Sequence, residues 1–162
     1  MQTNMTTTYK PQVLVIDDQP GIRKLLTDVL ESAGYGVLIA VNGCEGIQIA
    51  YENDPDVILL DMRMPGMLGI DVLREIENQR KKGNIIVMTA YCEIESVNEI
   101  RAAGAREYLT KPFDIGLICR LIQEIIDEQL EECKEAECKE SDEQEEREEC
   151  ELEELGKSVL MV

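Results

Sequence analysis

A doubly wound α/β fold, with five parallel strands and five helices, is what this sequence predicts, on three observations. Short apolar runs alternate with longer helix-period segments from residue 12 to about residue 126. The runs are continuously apolar instead of alternating, as strands covered on both faces must be. Most of them end abruptly in a charged or hydroxyl side chain.

Taken in order, the first strand is Val13 to Ile16, closed by Asp17 and Asp18. Pro20 opens a helix, because its fixed φ suits a first turn, and Ile22, Leu25, Leu26, Val29 and Leu30 give it an apolar face. Gly34 stops it. Gly36 to Ala40 reads as the second strand, Asn42-Gly43 as a turn, and Cys44 to Asn53 as a helix ended by Asp54-Pro55. Val57 to Leu60 is the most apolar run and stops at Asp61. After a loop over Met62 to Leu68, Ile70, Leu73 and Ile76 mark a third helix. It runs into Arg80, Lys81 and Lys82, cations suited to a helix C-terminus. Ile85 to Met88 is the fourth strand, ending at Thr89. A short helix near Glu93 to Ala103 precedes Gly104, a brief strand about Tyr108 and Leu109, and then Lys111-Pro112. The fifth helix begins near Asp114, with Leu117, Leu121, Ile122, Ile125 and Ile126 as its buried positions.

Composition bounds the rest. A chain of 162 residues with 44% hydrophobic residues can bury one ordinary core. The expected organisation is an extension over 1–11, one domain over 12–126 and an acidic tail over 127–162, helical or disordered. The formal charge is -18, and the tail carries most of it: 16 Asp and Glu against 4 Lys and Arg give -12, leaving -6 for residues 1–126. Such a charge argues against binding nucleic acid, whose phosphates require Lys and Arg. No stretch approaches the roughly 18 apolar residues of a membrane span, and no export signal is visible. A cytoplasmic protein with reduced thiols is therefore expected, and its six cysteines form no C-x-x-C pair. Cys133, Cys138 and Cys150 in the tail fit no zinc spacing.

The handedness of parallel crossovers puts every strand C-terminus along one edge, where ligands of such sheets bind. Four strands deliver polar groups there: Asp17 and Asp18, then Asp61, Thr89 and Lys111. Singly, each is an ordinary turn former or cap. Together they point to chemistry. Three carboxylates in one cleft repel one another and call for a hard divalent cation, for which Mg²⁺ is the natural candidate. An Asp beside Mg²⁺, a Lys ammonium and a Thr hydroxyl is what phosphoryl transfer to a carboxylate requires, since the cations and hydroxyl neutralise the equatorial oxygens. Asp61, alone after a buried strand with a mobile loop behind it, is the expected nucleophile.

Val13 to Asp18, Leu59 to Met62 with Met64-Pro65-Gly66, Met88-Thr89-Ala90 and Lys111-Pro112-Phe113 together resemble the response-regulator receiver family of two-component signalling. The resemblance covers residues 12 to about 126. It implies a flavodoxin-like receiver fold and a phosphoprotein whose aspartyl phosphate forms at Asp61. The donor would be a sensor histidine kinase or phosphotransfer protein, and the recipient of the signal a downstream effector protein. It implies that Asp18 and Asp61 ligate Mg²⁺ directly, Asp17 through water, and Arg63 through its main-chain carbonyl. Thr89 and Lys111 would hold the phosphoryl oxygens, Lys111-Pro112 would be cis, and Thr89 with Tyr108 would form a conformational switch. Asp17 to Arg23, Pro65 to Met67, Thr89 to Tyr91 and Lys111 to Ile115 are further similar to single-domain members of sporulation phosphorelays. Those pass the phosphoryl group between two histidines, with partner helices docking near Gln19 to Leu26. Tyr108 in place of His, and the acidic tail, depart from that pattern.

Catalysis of this kind is non-classical: the chain would promote its own phosphorylation and, with bulky Arg63 and Tyr91 shielding the acyl phosphate, only slow autodephosphorylation. An Asp-based phosphatase or phosphomutase is the competing enzyme class, disfavoured because Asp17 and Asp18 are adjacent and not in an Asp-x-Asp pair. A pure interaction module without phosphorylation is disfavoured by the complete set of five residues.

Overall fold

The computed structural model describes residues 9–80, 84–90 and 94–132, the side chains of 94–96 excepted. The acidic tail's cysteines, Tyr91 and the pair Lys81-Lys82 lie outside the described residues. The chain divides into two compact units, Met1–Ile125 and Ile126–Val162. The first holds strands β1 (Gln12–Ile16), β2 (Gly36–Ala40), β3 (Val57–Asp61), β4 (Ile85–Thr89) and β5 (Glu107–Thr110). Helices α1 (Pro20–Ser32), α2 (Gly43–Asn53), α3 (Gly69–Arg80) and α4 (Ile94–Ala102) alternate with them, and residues 115–132 are also helical (α5).

All pairings are parallel, in the order β2-β1-β3-β4-β5. The doubly wound expectation is met, with the reversal of winding falling between β1 and β3, where such sheets bind ligands. β3 and β4 are buried at every position. Leu14, Ile16, Ile58, Leu60, Ile85 and Val87 share a core with Val72, Leu73 and Ile76 of α3 and Ile100 of α4. Fully burying each such side chain is worth roughly 1.5–3 kcal/mol. A hydrogen bond from the Tyr35 hydroxyl, just beyond α1, to Gln123 Oε1 of α5 (2.8 Å) ties two elements together.

Several local expectations need correction. Leu25 is 45% exposed, while Leu26 and Leu30 carry the buried face of α1. In α5 one position differs: Leu117 is exposed and Ile118 is buried in its place, while Ile122, Ile125 and Ile126 are buried as expected. The apolar stripe is wider than the surface actually buried, and periodicity alone does not choose its centre. Asn42 is a helix cap and not a turn residue. Its side chain accepts from the Glu45 N–H (2.9 Å) while Glu45 accepts from the Val41 N–H (2.8 Å), a reciprocal box around the start of α2. Nor is the stretch Met62 to Leu68 loose throughout: Met64 is buried, and Met62 and Met67 pack against the core.

Gly69 lets α3 begin directly beneath the end of β3. A Cβ there would lie 2.5 Å from Met62 Cα and 2.9 Å from the Asp61 carbonyl oxygen. Gly69→Ala is therefore expected to destabilise the domain by about 1–3 kcal/mol, the usual range for overpacking. Urea unfolding measures it, and a midpoint equal to that of the parent protein would show that the Asp61–Met62 backbone yields without strain.

Candidate functional site

The strand termini meet along one edge. β1 and β3 are neighbours, with Ile16 level with Leu60, so Asp17 and Asp61 leave adjacent strands at the same height. Asp61 pairs with Met88 in β4, placing Thr89 one residue further along. Thr89 pairs with Thr110 of β5, and the Lys111 N–H donates to the Thr89 carbonyl (2.7 Å), which returns Lys111 toward the centre. The Lys111-Pro112 peptide is cis.

The side chains converge accordingly. One carboxylate oxygen from each of Asp17, Asp18 and Asp61 lies within 4.8 Å of the others. Lys111 Nζ sits 2.8 Å from Asp17 Oδ2 and 3.2 Å from Asp61 Oδ1, with only 15% of its side chain exposed. Asp17 is fully buried, Asp61 is 2% exposed and Thr89 is buried. Four of the five expected residues are thus in one cluster, and Thr89 ends the strand beside it. Arg63 is exposed, and its backbone N–H assists the Asp61 carboxylate. Tyr108 is partly buried on the α4 side of β5, with Arg101 Cζ 5.8 Å from its ring centroid.

Each acid has a different hydrogen-bond status. Asp17 is saturated: its Oδ1 accepts from the Gln19 N–H (2.8 Å) and its Oδ2 from Lys111 (2.8 Å). By contrast, Asp18 Oδ1 and Asp61 Oδ2 are buried without any hydrogen-bond partner. Buried polar atoms left in that condition are costly unless something absent from the protein itself serves them. Two unsatisfied carboxylate oxygens beside a third carboxylate form a hard, all-oxygen donor set, and Mg²⁺ with retained waters fits it. Asp18 and Asp61 are the residues that could hold the ion directly, with Asp17 behind them.

Burial pushes the Asp61 carboxyl above the usual range, and the neighbouring Asp17 charge adds to this, against the opposing pull of Lys111 and the Arg63 amide. Burial works against the Lys111 ammonium, but the hydrogen bond to Asp17 and the charges of Asp61 and Asp17 outweigh it and hold this group above 10.5. A carboxyl with a folded-state pKa above its unfolded value stabilises the fold when protonated. That contribution is present below the unfolded value near 3.8 and is lost as pH rises through the folded value. The Lys111 contribution has the same sign at the alkaline end: it is intact below 10.5 and is lost as pH rises through the higher folded-state value. Without divalent ions, Asp61 should therefore make the protein lose stability as pH rises from about 3.8 through the raised folded-state value, relative to an Asp61→Asn variant. Parallel melting curves of the two proteins across that range test this, and a constant difference would contradict it.

One participant escaped the sequence reading. Arg23 Nη1 donates to the Asp17 carbonyl oxygen at 2.8 Å. A signal was available: a cation near the start of a helix opposes the helix dipole, and α1 has no acidic residue in its first turn to offset it. An arginine in such a place is a candidate for engagement elsewhere, here with the Asp17 carbonyl.

A family model described as the response regulator receiver domain matches residues 13–132. Sporulation initiation phosphotransferase F of Bacillus subtilis (strain 168) is 40% identical over 107 residues, covering 66% of this chain and 86% of that protein. Protein PilH of Pseudomonas aeruginosa is 32% identical over 117 residues, 71% of this chain and 97% of that protein. Other relatives are larger: the chain spans 26% of the DNA-binding transcriptional regulator NtrC of Escherichia coli (strain K12), at 35% identity over 120 residues. Among solved structures, the CheY-like receiver domain protein of Methanospirillum hungatei JF-1 superposes with a TM-score of 0.73 at 29% identity, over 76% of this chain and 99% of that one. Sequence, topology and relatives agree: the chain belongs to the response regulator receiver domain family.

Proposed function

We propose that the chain is a phosphoacceptor: Asp61 takes a phosphoryl group from a phosphohistidine on a histidine kinase or phosphotransfer protein. The reading rests on one observation, that Asp61 lies buried among Asp17, Asp18 and Lys111 with one carboxylate oxygen unbonded. In the step, an Asp61 oxygen forms a bond to phosphorus as the phosphorus–nitrogen bond of the donor breaks, and the imidazole leaves. Mg²⁺, when bound, supplies positive charge to the transferring oxygens. Lys111 is within reach of Asp61 and can follow the phosphoryl oxygens as they arrive. Thr89 at the neighbouring strand end offers a hydroxyl to a third oxygen. Capture of that hydroxyl would open space for Tyr108, and the surface around α4 and β5 would carry the change to an effector. Exposed Arg63 stands two residues beyond Asp61 and would shield the product from water, giving slow self-hydrolysis.

Intact mass after incubation with acetyl phosphate tests the proposal. With Mg²⁺ the parent protein gains one phosphoryl group, and with excess chelator the gain is lost. Uptake that ignores the chelator would remove the cation from the account, and no uptake under either condition would remove the phosphoacceptor role.

A relay role is the second reading, favoured by the resemblance of 40% identity to Sporulation initiation phosphotransferase F. In it, Asp61 hands the group on to a second histidine. Leu25 on α1 is exposed and available to a partner helix. Transfer from the phosphorylated chain to a histidine phosphotransferase distinguishes it from a terminal switch.

A further inference from the structure

We propose that Arg23 is a positioning residue for the acidic site, acting on Asp18 through the peptide bond that joins it to Asp17. The inference rests on the reading of Asp18 and Asp61 as holders of a divalent cation.

The Asp17 carbonyl, to which Arg23 donates at 2.8 Å, belongs to the same rigid peptide plane as the Asp18 nitrogen. Fixing that oxygen fixes where the Asp18 Cα emerges. The rest of Asp17 is equally tied. Its N–H donates to the Ala40 carbonyl (3.3 Å), and its two carboxylate oxygens are held by Gln19 and Lys111. Arg23 supplies the remaining bond and is itself fixed by the helix, because its own N–H donates to the Gln19 carbonyl (3.1 Å). Asp17 is thereby a fully bonded post, and Asp18, with Oδ1 unserved, is the arm it carries.

Charge alone would give Arg23 the opposite role. A guanidinium close to a cation site repels the cation, so removing it should tighten binding if electrostatics governs. Removing a group that orients a ligand should loosen it, typically by tenfold or more for residues one step behind a metal. The two accounts differ in sign. A merely structural Arg23 would move neither.

The test is Mn²⁺ binding to the full chain, followed by the electron paramagnetic resonance of the free ion. The proteins are the parent, Arg23→Met, Arg23→Lys and Asp18→Asn, each verified as folded by circular dichroism. The expected result is about tenfold weaker binding for Arg23→Met, recovered in large part by Arg23→Lys, which keeps a long donor. Unchanged or tighter binding in Arg23→Met, with Asp18→Asn still abolishing it, would overturn the role of Arg23 and leave the cation site standing. Binding to the parent that is absent, or indifferent to Asp18→Asn, would overturn the cation reading itself. Should Arg23→Met not fold, Arg23→Gln carries the same comparison with the same expected weakening.

Discussion

Asp61→Asn is expected to abolish phosphoryl uptake from acetyl phosphate and, in the absence of divalent ions, to raise the melting temperature. Both effects arise from one side chain. An amide is isosteric with the carboxylate but has no charge with which to attack phosphorus, so the chemical loss should be complete and not graded. The gain in stability follows from burial. Asp61 is 2% exposed beside two other acids, and relief of a buried like charge outweighs loss of its share of Lys111. A change near 1 kcal/mol would appear as about 3–5 °C in a domain of this size. Differential scanning calorimetry and intact mass on the same preparations check both. Residual uptake at another residue would move the acceptor elsewhere. A lower melting temperature would mean that the Lys111–Asp61 ion pair outweighs the repulsion.

Lys111→Met carries the second large effect, a slowing of phosphorylation by about 100-fold, the usual consequence of deleting one preorganised donor to developing negative charge. Lys111 bridges Asp17 and Asp61 before reaction, and its ammonium is the only Lys or Arg charge within salt-bridge distance of these acids among the described residues. Truncating it also leaves Asp17 Oδ2 buried without its donor. The variant should therefore melt below the parent protein when metal-free, and saturating Mg²⁺ should narrow the gap without restoring the rate. A rate within threefold of the parent's, measured by quenched-flow uptake from acetyl phosphate, would assign the positive charge no part in the transfer.

Much of this was legible in the linear sequence, for physical reasons that differ by element. β3 and β4 are covered on both faces, so their runs are apolar throughout and end where the sheet meets solvent. That is why Asp61 and Thr89 stand out in a string of letters. The convergence of Asp17, Asp18, Asp61 and Lys111 was inferable from crossover handedness, which leaves all strand ends on one edge. Side-chain bonding was not. Apart from the family resemblance, which assigns them different roles, composition and spacing do not distinguish Asp17, saturated by Gln19 and Lys111, from Asp18, left with an unserved oxygen, because that difference depends on which way a loop turns. Two helix positions differ for a similar reason, while Leu26, Leu30, Ile122, Ile125 and Ile126 are buried as their period requires. Leu25 and Leu117 fit an apolar period as well as their neighbours do, and only the tilt of each helix on the sheet decides which is covered. Arg23 acts on a backbone carbonyl, an atom every residue possesses, so no residue type at its target could have pointed to it.

In the proposed function, Asp61 accepts a phosphoryl group beside a cation held by Asp18 and Asp61. The decisive experiment is a crystal structure of the chain grown with Mg²⁺ and beryllofluoride, a phosphoryl mimic. Density is expected for the mimic on an Asp61 oxygen, with the ion against Asp18, Asp61 and the Arg63 carbonyl, and Lys111 and Thr89 on the fluorines. An ion bound elsewhere, or a mimic attached to another residue with Asp61 still paired to Lys111, would contradict it.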